Sequence, residues 1–117
     1  MSDKAQTYNI ETKNNDLFPG VLFTFTVNSS LLDLTGWSAR MQVRKTWDSA
    51  AVISIETGSG LTIVDPPTNG QLSIDEQVFS LDTPGLYKYD LELIDTDGAP
   101  HTYIKGTLTV YEDISHD

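Results

Sequence analysis

Two histidines, His101 and His116, bound the acid–base chemistry open to this chain. A Ser–His–acid triad needs a histidine fixed within hydrogen-bond reach of both a nucleophile and an acid. His116 is the penultimate residue, His101 stands at the mouth of a hairpin, and no serine sits in a nucleophile-elbow context. Asp90 and Glu92 are the best-spaced carboxylates, i, i+2 neighbours about 7 Å apart on one strand face. They alternate with Tyr89, Leu91 and Leu93, which is the pattern of a solvated strand face. Asp95-Thr-Asp-Gly98 opens like a calcium loop but lacks its third acid and distal glutamate, so it reads as a turn. Cysteine is absent, which excludes disulfides, thiolate metal sites and cysteine nucleophiles. No catalytic residue, cofactor or metal is expected, and the chain is not expected to be an enzyme.

Binding is better represented. Arg40 and Arg44 make a basic stripe on the outward side of one strand, with Lys45 just beyond. They are expected to pair with Asp90 and Glu92 of a neighbouring strand, or else to receive the acidic face of another subunit. Trp47 lies in a turn beside Asp48, where an exposed indole would suit a protein contact or sugar stacking. Tyr103 and Tyr111 fall on the polar side of the last strand and complete the interface candidates. Trp37, in phase with Ala39 and Met41, is expected in the core.

The elements that must position these residues are strands. Tyr87, Tyr89, Leu91 and Leu93 alternate with Lys88, Asp90 and Glu92. After a turn at Thr96-Asp-Gly98, Ile104, Leu108 and Val110 alternate with Lys105, Thr107 and Thr109. A period of two gives each arm of this hairpin one buried and one wet face. Further strands are expected at 6–12, at 20–27 as a core strand through Val27, at 37–45, 51–56, 61–64 and 70–75. The segment 76–81 reads as a crossover with one helical turn, and Leu31, Leu32 and Leu34 as a cap on the core. Seven or eight short strands broken by Gly, Pro, Asn and Asp predict an all-β fold, an antiparallel two-sheet sandwich. At 117 residues the chain makes a single domain, 1–117, with a loose arm over 1–5 and an acidic tail over 112–117.

Seventeen acids against seven bases give a net charge of −10. That disfavours nucleic acid, whose phosphates need Lys and Arg, and anionic membrane surfaces. Closely packed copies would repel, so added salt is expected to aid self-association. No apolar run approaches the length of a membrane span, and the start of the chain lacks the basic and apolar regions of a secretory signal. The chain is expected to fold where it is made.

Four segments in order carry a family resemblance: Leu34-Thr-Gly-Trp-Ser-Ala-Arg-Met-Gln-Val-Arg44, Gly70-Gln-Leu-Ser-Ile-Asp75, Gly85-Leu-Tyr-Lys-Tyr-Asp-Leu-Glu-Leu93 and Lys105-Gly-Thr-Leu-Thr-Val110. Together they resemble the small immunoglobulin-like β-sandwich proteins of tailed bacteriophages, the lateral-tail-fibre accessory, collar and baseplate type. The likeness spans about two thirds of the chain and its motifs are structural. It implies a non-enzymatic virion component, made in the host cytoplasm and placed at a tail tip, baseplate or collar. Such proteins act as adaptors for tail fibres or receptor-binding proteins and often repeat as a homo-oligomeric ring. The partners implied are other phage structural proteins, and no functional residue transfers from the family. The alternative is a carbohydrate- or receptor-binding β-sandwich module that stacks ligands on Trp47 and loop tyrosines.

Overall fold

Wherever apolar and polar residues alternate, the chain becomes strand. The computed structural model describes residues 5–112. Its strands are β1 (Gln6–Thr7), β2 (Ile10–Lys13), β3 (Leu17–Phe18), β4 (Val21–Thr24), β5 (Thr26–Val27), β6 (Ser30–Leu31) and β7 (Ser38–Arg44). They continue as β8 (Ala51–Thr57), β9 (Gly60–Ile63), β10 (Gln71–Ile74), β11 (Gln77–Val78), β12 (Gly85–Ile94) and β13 (Pro100–Tyr111). One 3-10 turn, Pro67–Asn69, is the only helical element among the described residues. The fold is all-β. The loose arm before Ala5, the tail beyond Glu112 and His116 lie outside the described residues.

Nine strands form one continuous curled sheet in the order β1–β13–β12–β7–β8–β9–β10–β4, with β2 also along β13. A tight turn through Gly58 and Ser59 makes the corner between β8 and β9, which pair in parallel over only Glu56↔Gly60 and Thr57↔Leu61. Leu61, Leu72 and Ile74 beyond this corner share one core with Ala39, Met41, Val43 and the inward residues of the last hairpin. The alternation in β12 is reproduced in full: Tyr87, Tyr89, Leu91 and Leu93 are buried, and the residues between them face outward.

Pairing is not antiparallel throughout. The twelve residues of β13 leave a long open edge, and β1 and β2 lie parallel along it. Between them the chain steps out of strand at Tyr8 and Asn9, where the Asn9 side-chain oxygen accepts the Thr107 N–H at 3.1 Å. The strand expected to run through Val27 ends earlier. Asn28 and Ser29 both hold positive φ, 54° and 68°, and close a two-residue hairpin between β5 and β6. That turn leaves Val27 and Leu31 exposed, and only Leu34 of the expected leucine cap is fully buried. The expected helical turn at 76–81 is replaced by β11, which pairs with β3 and brings Phe79 and Phe18 within 5.4 Å between ring centres.

The two ends of the sheet order meet through side chains. Tyr8 stands edge-on to Phe23 at 5.2 Å, Phe23 neighbours Phe25, and Phe25 meets Tyr103 at 5.5 Å. Tyr103 continues to His101, which stacks on Trp37 at 6.0 Å. Offset and edge-to-face pairs of this kind contribute beyond their buried area. Trp37, expected inside, is half-buried because it serves this seam at the rim of the core.

Beneath the seam, the fully buried Tyr89 donates its hydroxyl to the Tyr8 carbonyl oxygen. Burial, with Tyr8 adding to it, pushes the Tyr89 phenol far above its ordinary value and keeps it a donor at any working pH. Gly106, directly opposite Tyr89 on β13, admits this contact, since a Cβ there would overlap the Tyr8 carbonyl oxygen. Gly106→Ala is therefore expected to cost about 2–3 kcal/mol by overpacking against backbone that cannot retreat. Tyr89→Phe is expected to cost about 1–2 kcal/mol by removing the partner of a part-buried carbonyl. Both are read as a shift of the urea unfolding midpoint.

Candidate functional site

The outward residues of β7, β8, β12 and β13 form a single charged face whose layout follows from register. Across the strands, Thr102, Glu92, Arg40 and Glu56 make one row. Lys105, Asp90, Gln42 and Ser54 make the next, and Thr107, Lys88 and Arg44 the third. Four cations therefore stand among three acids here, while the rest of the chain carries fourteen acids and three cations. A chain of net charge −10 has one face that is close to neutral.

The expected pairing of Arg40 and Arg44 with Asp90 and Glu92 is met by half. Arg40 grips Glu92 through Nε at 3.1 Å and through Nη2. Arg44 takes no carboxylate. Its Nη2 donates to Gln42 Oε1 at 3.0 Å, and Gln42 Nε2 donates in turn to Ser54 Oγ at 3.2 Å. The Arg44 Nε is buried and no described residue accepts from it. Directly across the β7–β12 ladder from Arg44 stands Lys88, a second cation. Like charges at directly opposed positions destabilise a sheet.

Trp47 leaves the β7–β8 turn and reaches over β12, so that the Lys105 ammonium sits 5.1 Å from its ring centre. The indole is 44% exposed. Lys45, on the opposite side of the chain from Arg44, rests over the Tyr87 ring at 4.8 Å. Among the six described lysines and arginines, only Lys13 and Arg40 make an ion pair.

Of the residues singled out in sequence, Arg40, Arg44 and Trp47 belong to this face, and Tyr103 and Tyr111 do not join it. Tyr103 turns into the aromatic seam. Tyr111 lies eight residues further along β13, about 27 Å away. Glu11 beside it pushes its phenol up. Lys88 and Lys105 are the members that sequence reasoning missed. Their outward phase was visible, but alternation carries no cross-strand register.

At the other end of the hairpin, Asp95 Oδ1 accepts the N–H groups of Asp97 at 2.9 Å and Ala99 at 3.0 Å, and Oδ2 meets His101 Nε2 at 2.9 Å. The carboxylate that opened the calcium-like motif is thus occupied in shaping its own turn. Among the described residues no cluster of three or more His, Asp or Glu is placed to hold a metal ion. No described helix is long and apolar enough to cross a membrane. The chain matches no protein-family model and no curated protein.

Two aspartates on this hairpin titrate in opposite senses. Burial, reinforced by Glu92, holds the Asp90 carboxyl above its ordinary value against the pull of Arg44, Arg40 and Lys105. The unfolded chain ionises first, so stability falls as pH rises from the ordinary aspartate value through the folded one. Asp90→Asn is expected to raise the thermal midpoint at pH 7, with the gain vanishing in acid. The His101 hydrogen bond, then the Ala99 N–H, holds Asp95 below its ordinary value. Its contribution is complete above the ordinary value and is lost as pH falls through the folded one. Asp95→Ala is expected to lower the midpoint at pH 7 and leave it unchanged at strongly acid pH.

Proposed function

We propose that this chain is a non-enzymatic structural subunit of a tailed-phage virion. It would serve at a tail tip, baseplate or collar, where tail fibres or receptor-binding proteins attach. The observation that carries the reading is the outer face of β7, β12 and β13. It is near-neutral on an acidic chain, bears two arginines and a half-exposed tryptophan, and is built on the longest strands. Arginine and tryptophan are the residues enriched where proteins dock, and rigid strands hold them in register. The segments that carry the phage likeness fall on the elements that frame this face or lie behind it: the approach to β7, then β10, β12 and β13.

The same likeness makes the curled sheet an immunoglobulin-like sandwich, with β9, β10 and β4 as its second layer. The Tyr87 hydroxyl supports this by donating to the Thr83 carbonyl four residues upstream, the arrangement of a tyrosine corner in such domains. A chain working this way acts by surface complementarity, and repetition around an axis lets each contact be modest.

A carbohydrate- or receptor-binding module is the second reading, favoured by the exposure of Trp47. Sugar stacking asks for an open aromatic face, and Lys105 already stands over the Trp47 ring, which keeps docking ahead. Mass spectrometry of phage particles purified from the culture that produces the chain tests the virion reading. The expected result is the chain at a fixed ratio to tail proteins. Its absence from intact particles would contradict the proposal.

A further inference from the structure

We propose that Arg44 and Lys88, with Lys105 and Trp47 beside them, form a docking site for carboxylates of a second copy of this chain. Three independent features of the face converge on it. Arg44 and Lys88 oppose each other across the ladder, an arrangement the sheet bears at a cost. Placing two cations there on a chain with seventeen acids is a local conflict of the kind that functional sites retain. Arg44 has no carboxylate partner among the described residues, its Nη2 meeting only the Gln42 amide oxygen, and a guanidinium fork is built to meet a carboxylate in its own plane. Lys88 and Lys105 also lack an ion-pair partner among the described residues, although Asp90 stands directly opposite Lys105 and two residues from Lys88 along β12.

Charge names the occupant. Away from this face the chain carries fourteen acids and three cations, so almost any other surface of a second copy supplies the carboxylates that Arg44 and Lys88 lack. The cations around Arg44 and Lys88 meeting an acidic surface elsewhere on the molecule make a heterologous contact, the type that closes into rings. The inference gives the ring proposed above its contact, and it rests on that reading for the second copy as partner. Net repulsion between copies does not forbid it. At about 0.15 M salt charges more than about 8 Å apart are screened, while pairs in contact persist.

The test is sedimentation velocity of the full chain at about 0.15 M salt, from micromolar to millimolar protein. Wild type is expected to self-associate. Arg44→Gln and Lys88→Gln, both outward substitutions whose folding circular dichroism verifies, are each expected to weaken association roughly fivefold or more. Lys13→Gln removes the same unit charge from an exposed pair with Asp16 and is expected to leave association unchanged. Equal weakening by Lys13→Gln would overturn the proposal, because net charge alone would then set the affinity. A monomer at every concentration would also overturn it; capture of poly-glutamate by wild type but not Arg44→Gln would then give the face to a different acidic chain. A chain found in particles yet monomeric sinks the contact and leaves the virion reading standing. A chain that associates through Arg44 but is absent from particles does the reverse.

Discussion

The structure depends on one buried hydrogen bond, from the Tyr89 hydroxyl to the Tyr8 carbonyl oxygen. Tyr89 stands at the centre of β12, fully enclosed, where an unpaired hydroxyl would carry a desolvation penalty. Its partner comes from the far end of the chain, and the contact exists only because Gly106 leaves the space between them empty. With Tyr8 fixed, the N-terminal segment lies along β13, and Tyr8 can reach Phe23 on the opposite end of the sheet. The seam of aromatic rings then closes a curl that backbone pairing leaves open. Remove the small hole at Gly106 and the edge of β13, the first link of the seam and the closure of the core are all weakened together.

Closure on the inside is what makes the outside usable. Because β7, β12 and β13 bury an unbroken apolar face, their alternate residues are held at fixed spacing on the other side. Arg40, Arg44, Lys88 and Lys105 are thereby displayed as an ordered array. Most acids of the chain lie elsewhere, and the two opposed cations at Arg44 and Lys88 are tolerated because the core beneath them is well packed. Electrostatic tension is thus borne at the surface by packing underneath, which is how binding faces are commonly sustained.

Much of this was legible in the sequence. The strict alternation of Tyr87 to Leu93 and of Ile104 to Val110 specifies the two longest strands, their inner faces and the turn between them. The outward phase of Arg40 and Arg44 follows from the same period, and the turn position of Trp47 from the break in it. What alternation cannot supply is register. That Arg44 faces Lys88, a cation, while Arg40 faces Glu92 depends on which residues oppose each other. The end of β4 was hidden for another reason. Val21, Phe23, Phe25 and Val27 read as one strand, but Asn28 and Ser29 adopt left-handed backbone and pull Val27 into a separate hairpin. The parallel course of β1 and β2 has no local signature, since the close approach at Tyr8 that accompanies it needs a glycine almost a hundred residues away.

The central claim is that this protein works by docking acidic surface onto the face around Arg44 and Lys88. Zero-length carbodiimide coupling tests it most directly, applied to an equal mixture of unlabelled and nitrogen-15-labelled protein and read by mass spectrometry. The account predicts mixed-isotope cross-links from Lys88 or Lys105 to aspartates and glutamates that lie off this face. Mixed-isotope links confined to Lys13, or links found only within single chains, would contradict it.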